Sequence, residues 1–185
     1  MSSQEVEVSP RSRREIRNVA DVFRDISRRA LGDFGSLFPV VEALEWVMPS
    51  LDSEFVLDIW PVDAMGEEHG LTIPSRHTIR LREDIYDRAC DGHGRDRMTV
   101  AHEIGHYFLH DEQAFARRET KKKERLPAFR SAEWQASCFG AELLIFPKGL
   151  TSHMTVEEVA TLRGVSTIAA GYQLDQYRKE GMLVR

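Results

Sequence analysis

Two histidines four residues apart, with a glutamate directly after the first, stand at His102, Glu103 and His106 in the run AHEIGHYFLH. This short pattern constrains the fold more than any other feature of the chain, because it has a use only on a helix. There, residues i and i+4 lie one turn apart on the same face, so two imidazoles can close on one metal ion. The glutamate beside the first can then reach a water held in an open coordination position. The flanking sequence supplies such a helix, from about Asp96 to His110, with Met98, Ala101, Gly105 and Phe108 spaced as its core face. A hydrolytic metal site takes three protein ligands, so the fold has to deliver one more donor from a different element.

His110 is the nearest candidate, but eight residues of straight helix separate it from His102 by about 12 Å, too far for both rings to share one ion along with His106. The longer pattern with a glycine and a third histidine further on also fails, since those places hold Leu109 and Glu112. Downstream, the run SAEWQASCFGAELLIFP predicts a second helix from Ser131 to about Ile145, ended by Pro147 and Gly149, and it carries two carboxylates. Glu133 shares a face with Ala136, Ser137 and Gly140, whose small size lets the helix lie close against the first. Glu142, the competitor, sits nine residues on from Glu133, and an exposed role is its plainer reading.

The rest of the chain supports one compact domain, or one domain with a small appendage: 185 residues, 42% hydrophobic and 30% charged. An N-terminal helix is predicted from Ser9 and Pro10, its apolar stripe running through Ile16, Val19, Ala20, Phe23, Ile26 and Ala30, and residues 39 to 48 read as a short second helix closed by Pro49 and Ser50. The period then changes to two at Phe55, Leu57 and Ile59, and again over residues 77 to 82, which predicts strands, with a third short one over residues 71 to 74 ending at Pro74. Residues 63 to 70 read as loop. A short helix is expected at residues 85 to 89, and the basic stretch 114 to 130 as a surface loop able to serve as a lid or an acidic-partner dock.

Charge and cysteine content exclude whole classes of function. A net charge of -5 argues against a chain built mainly to coat phosphate backbones. With only Cys90 and Cys138 there is no disulfide framework, and both are expected as small buried thiols in a reducing cytoplasm. No window approaches the apolar length of a membrane span. His69, His77, His93 and His153 are isolated in polar context and read as ordinary surface residues.

The stretch RMTVAHEIGHYFLHD, followed after a variable loop by SAEWQASCFGAELLIFP, resembles the ImmA/IrrE metallopeptidases, and the similarity extends over most of residues 10 to 150. The resemblance implies an α+β fold, a mainly helical zincin-like domain with a small β-sheet and a C-terminal helical pair. It implies zinc ligands at His102, His106 and Glu133 and a catalytic glutamate at Glu103. Departures from the family pattern are Ser137 where asparagine is usual, Gly140 for alanine, and Ile145-Phe146 before the proline. Zinc is the implied cofactor, although histidine and carboxylate donors also accept manganese or iron. The chemistry implied is peptide-bond hydrolysis, with Glu103 moving the proton and Tyr107, Tyr86 or an arginine available to an oxyanion, core packing being the plainer role for Tyr107. The implied substrate is a helix-turn-helix repressor whose cleavage relieves repression of a mobile element or a stress response.

Residues 1 to 150 thus read as the metallopeptidase domain, and residues 151 to 185 as a helix, a turn at Gly164 and a second helix, capped at Thr155. Gln173, Gln176, Arg178 and Lys179 could face DNA, but Asp175 and Glu180 offset them, so packing or partner docking is preferred to direct DNA binding. The competing function is a metal-containing docking module that binds a repressor, toxin or DNA without cutting it.

Overall fold

A computed structural model describes residues 6–110 and 126–184, so most of the basic stretch 114 to 130 lies outside the described residues. The fold is α+β and mainly helical. Helix α1 (Arg13–Leu31) is followed by a helical segment in three parts, α2 (Val40–Glu42), a wide π turn (Ala43–Val47) and α3 (Met48–Leu51). Then come β1 (Val56–Trp60), α4 (Val62–Met65), β2 (Gly70–Ile73), β3 (Thr78–Arg82) and α5 (Glu83–Cys90). The long helices α6 (Gly94–Leu109) and α7 (Ala132–Leu144) pack on each other, and α8 (Val156–Arg163) and α9 (Thr167–Glu180) complete the chain.

Among the described residues the sheet has the order β1-β3-β2, with β1 parallel and β2 antiparallel to β3. The third short strand expected at residues 71 to 74 is therefore an edge strand, and it stops at Ile73, just before Pro74, whose missing N–H cannot extend a ladder. This edge lies against α6, which places the sheet beside the histidine pair.

Helix α1 begins three residues later than the sequence suggests. Ser12, not Ser9, is the cap, because Glu15 three residues on closes a reciprocal capping box with it. Described residues before it are paired with the approach to α7: Val8 N–H donates to Arg130 O, and Arg11 N–H to Phe129 O. Pro49 does not end its helix either. The wide turn over Ala43–Val47 shifts the carbonyls that a proline ring would otherwise meet, and the helix runs on to Leu51.

One hydrophobic cluster joins Ile16 and Phe23 of α1, Ile79 and Leu81 of β3, Ile104 of α6, Phe139 of α7 and Leu174 of α9. Arg163, fully buried, fixes α8 to this body by donating to the carbonyls of Ser36, Phe146 and Lys148. The exposed role expected of Glu142 is wrong. It is fully buried, its carboxylate accepting from Arg13, Arg17 and the Tyr177 hydroxyl, because α1 and α9 both close over this part of α7. Cys138 is buried as expected, but Cys90, at the end of α5, is exposed.

Candidate metal and catalytic site

The close approach of α6 and α7 depends on residues without bulk. A Cβ placed on Gly105 would lie 3.0 Å from the Ala136 carbonyl, and one on Gly140 would lie 3.2 Å from Met98 Sδ and 3.3 Å from His102 N. Glu133 falls in the first turn of α7, capped by Ser131, on the helix face turned toward the histidines.

Three donor groups converge there, the carboxylate meeting each ring with a different oxygen. His102 Nε2 and His106 Nε2 are 2.9 Å apart, His102 Nε2 lies 3.3 Å from Glu133 Oε2, and His106 Nε2 lies 3.4 Å from Glu133 Oε1. Donors held about 2.0–2.2 Å from a tetrahedral metal ion are about 3.3 Å from one another, which the two imidazole–carboxylate distances match, with the imidazole nitrogens somewhat closer together. Glu142 is excluded from it by its arginine and tyrosine partners. The side chain of Glu133 is 49% exposed, so the fourth direction opens to solvent. Its carboxyl is held well below the usual carboxylate range, first by the His102 ring and then by that of His106, against the opposing effect of burial.

Glu103 is buried at the other side of this triangle. The Thr72 hydroxyl on edge strand β2 donates to its Oε2 at 2.7 Å, and Gly70 on the same strand leaves the space, since a Cβ there would lie 2.7 Å from Glu103 Cγ. Both glutamates and His102 line a cleft of about 520 Å³ together with Glu67, His69, Arg95, Thr99 and Ser166. His69, read from sequence as an ordinary surface residue, is therefore at the cleft, as is Arg95.

Other sequence expectations fare differently. Tyr107 and Tyr86 do not line the cleft: Tyr107 donates to Asp52 at 2.6 Å and Tyr86 donates to Glu45. Burial and Asp52 raise the Tyr107 hydroxyl above its ordinary range, and the Glu45 hydrogen bond does the same for Tyr86. Asp52 also meets His77 Nδ1 at 2.6 Å, so His77 belongs to a small acidic cluster with Asp52 and Glu54. His110 is not a fourth donor. It stands behind His106, ring nitrogens Nδ1 to Nδ1 at 3.0 Å, and burial pushes its pKa down to about 4. Ser137 Oγ lies 3.2 Å from His102 Nδ1, at the position where the resemblance leads one to look for asparagine. Thr72, Gly70 and Gln135 gave no sequence signal, because their partners come from other elements.

The family model of the M78 peptidases, the IrrE N-terminal-like domain, matches residues 65–175, from the end of α4 into α9. The chain belongs to this family. As a member of M78 it carries a metallopeptidase-like domain, and a metal cofactor accords with its cluster of His102, His106 and Glu133. No curated protein matches the chain. Among its described residues no helix is long and apolar enough to cross a membrane.

Proposed function

We propose that the protein is a zinc-dependent endopeptidase whose ligands are His102, His106 and Glu133 and whose general base is Glu103. The observation that carries this reading is the triangle of three donors at tetrahedral spacing with a buried carboxylate beside it, open to one cleft. Zinc bound there would supply Lewis acidity, lowering the pKa of a water and polarising the scissile carbonyl.

Glu103 takes the proton from the attacking water and returns it to the leaving amine. Thr72, donating to Oε2, fixes the carboxylate rotamer and leaves Oε1 to accept that proton. The two histidines would hold the ion as neutral rings and Glu133 would contribute one negative charge, which would leave a net positive charge for a developing oxyanion. Arg95 is the cleft cation placed to assist it or to hold an acidic substrate group.

The substrate proposed is a helix-turn-helix repressor, as the resemblance to ImmA/IrrE proteins implies, met in the cytoplasm, where Cys90 and Cys138 stay unpaired. Residues 1 to 150 act as the catalytic unit. Residues 151 to 185 serve as a packed helical pair and not as a DNA reader: Gln173 is buried and accepts from Arg13, while Arg178 donates to Asp175 and to Met154 O.

The test uses a purified helix-turn-helix repressor, incubated with wild-type protein, with chelator and with Glu103→Gln. Cleavage should fall by about 10²–10⁴-fold in the variant, with zinc retained. A variant that relieves repression as well as the wild type indicates docking without cutting, and sinks the peptidase reading.

A further inference from the structure

Behind the donor triangle runs a second line of polar contacts with no part in the reaction just described. Its far end is backbone. Gln135, fully buried on α7, directs its side-chain nitrogen at two carbonyls, Ser9 O at 2.9 Å and Phe129 O at 2.8 Å. Both are acceptors only, so the amide orientation is fixed, with the nitrogen toward them and Oε1 facing the other way. Oε1 lies 3.3 Å from His110 Nε2. Since Oε1 can only accept, His110 carries a proton on Nε2. As a neutral ring it then offers a lone pair at Nδ1, which lies 3.0 Å from His106 Nδ1. His106 must in turn carry its proton on Nδ1, which leaves the lone pair on Nε2, the nitrogen in the triangle with His102 and Glu133.

Proton positions can also be assigned from the opposite end. A metal ion needs the lone pair of His106 Nε2, which puts the proton on Nδ1, makes His110 Nδ1 an acceptor and His110 Nε2 a donor, and so calls for an acceptor at Gln135. The two assignments agree at every atom. The other tautomer of His106 would set two acceptors against each other at Gln135, or turn the amide and strand two backbone carbonyls in the interior.

We propose that His110 is a positioning residue: held by Gln135, it locks His106 in the Nδ1-protonated tautomer, so that the segments around Ser9 and Phe129 determine which nitrogen is presented to the ion. This rests on the metal-site reading above. It also explains why a histidine stands at a position on α6 that cannot itself reach the ion: an acceptor at one nitrogen and a donor at the other are both needed, and a neutral imidazole provides both in a fully enclosed space.

Two measurements on the full-length protein test it. Long-range proton–nitrogen correlation spectra of the metal-free wild type, at mildly alkaline pH, should give His110 as the Nε2–H form and His106 as the Nδ1–H form. The reverse assignment for either ring overturns the proposal and needs no variant to fold. Zinc affinity, read by competition with a chelating dye, should fall about 10- to 100-fold in His110→Leu. It should be largely restored in His110→Asn, whose amide oxygen can stand where Nδ1 stood. Equal loss in both variants reduces His110 to packing and overturns the proposal, as does wild-type affinity in His110→Leu. Wild-type protein that takes up no zinc overturns the metal reading itself, and that result is distinct from a change confined to the variants.

Discussion

Helix α7 carries two glutamates nine residues apart, and they are used in opposite ways. Glu142 is fully buried, and its oxygens accept from Arg13, Arg17 and Tyr177, which ties α1, α7 and α9 together. Burial alone would raise its pKa, but the bonds from Arg17 and Tyr177 outweigh that, and the carboxyl sits below its ordinary value. Glu133 is half-exposed and faces two imidazoles whose near nitrogens lie 2.9 Å apart. The first carboxylate has its positive charge built in, from guanidinium groups that cannot leave. The second has partners that are neutral when unprotonated, so in the function proposed above a cation from solution completes it. A carboxylate whose counter-charge belongs to the chain holds architecture together, and one whose counter-charge must arrive from outside marks a site.

The largest effect should come from exchanging these roles by mutation. Glu142→Ala removes the buried acceptor shared by Arg13, Arg17 and Tyr177 and leaves them only Gln173, Glu180 and the Ile145 carbonyl, which should cost about 3 kcal/mol in urea unfolding of the metal-free protein. Glu133→Ala should cost under about 1 kcal/mol in the same experiment, because it removes an exposed side chain. Zinc uptake should show the reverse order, lost in Glu133→Ala and kept by whatever fraction of Glu142→Ala is folded. A Glu133→Ala protein that binds zinc like wild type breaks the comparison at once.

The same contrast explains what the sequence could and could not disclose. His102, Glu103 and His106 are legible because their geometry is local: one turn of one helix sets it. Glu133 is legible at one remove, through the small residues Ala136 and Gly140 that permit close helix packing, together with the family resemblance. Glu142 was misread as exposed because its partners come from residues 13, 17 and 177, and no pattern within α7 announces them. Thr72 and Gly70 were hidden for the same reason, since their meaning arises only when edge strand β2 is laid across Glu103. The N-terminal cap was misplaced because Ser9 and Ser12 are both plausible caps, and the choice depends on the pairing of residues 6 to 11 with the start of α7.

Acid should separate the two carboxylates more gently. Glu142 has a folded pKa below its unfolded value of about 4.3, so on acidification the unfolded chain takes up the proton first. The stability it contributes is fully present above that unfolded value and is lost as pH falls through the folded one. Unfolding free energy of the metal-free protein should therefore rise with pH as this carboxyl ionises, at and below about 4.3. In Glu142→Gln that slope should be smaller, by at most about 1.4 kcal/mol per pH unit. An unchanged slope in this variant would mean that Glu142 has the same pKa folded and unfolded, and a larger slope that it is protonated in the native state; either result ends the distinction between a built-in and an imported counter-charge.

The smallest effect concerns the two residues that back the histidines. His102 is backed by the exposed Ser137 hydroxyl at 3.2 Å, and His106 by the buried His110, which Gln135 holds in turn. Water can replace a hydroxyl at an exposed position, whereas nothing replaces a lost acceptor in the interior. Ser137→Ala should therefore weaken zinc binding by about 10-fold or less, at or below the low end for residues that orient a ligand. Ser137→Asn should leave it near wild type, because an amide oxygen can accept from His102 Nδ1 as the hydroxyl does. Dye competition on the two variants beside His110→Leu gives the ranking directly. If Ser137→Ala costs more than His110→Leu, exposure is not what sets the value of these contacts, and the orienting role belongs to the His102 side of the site.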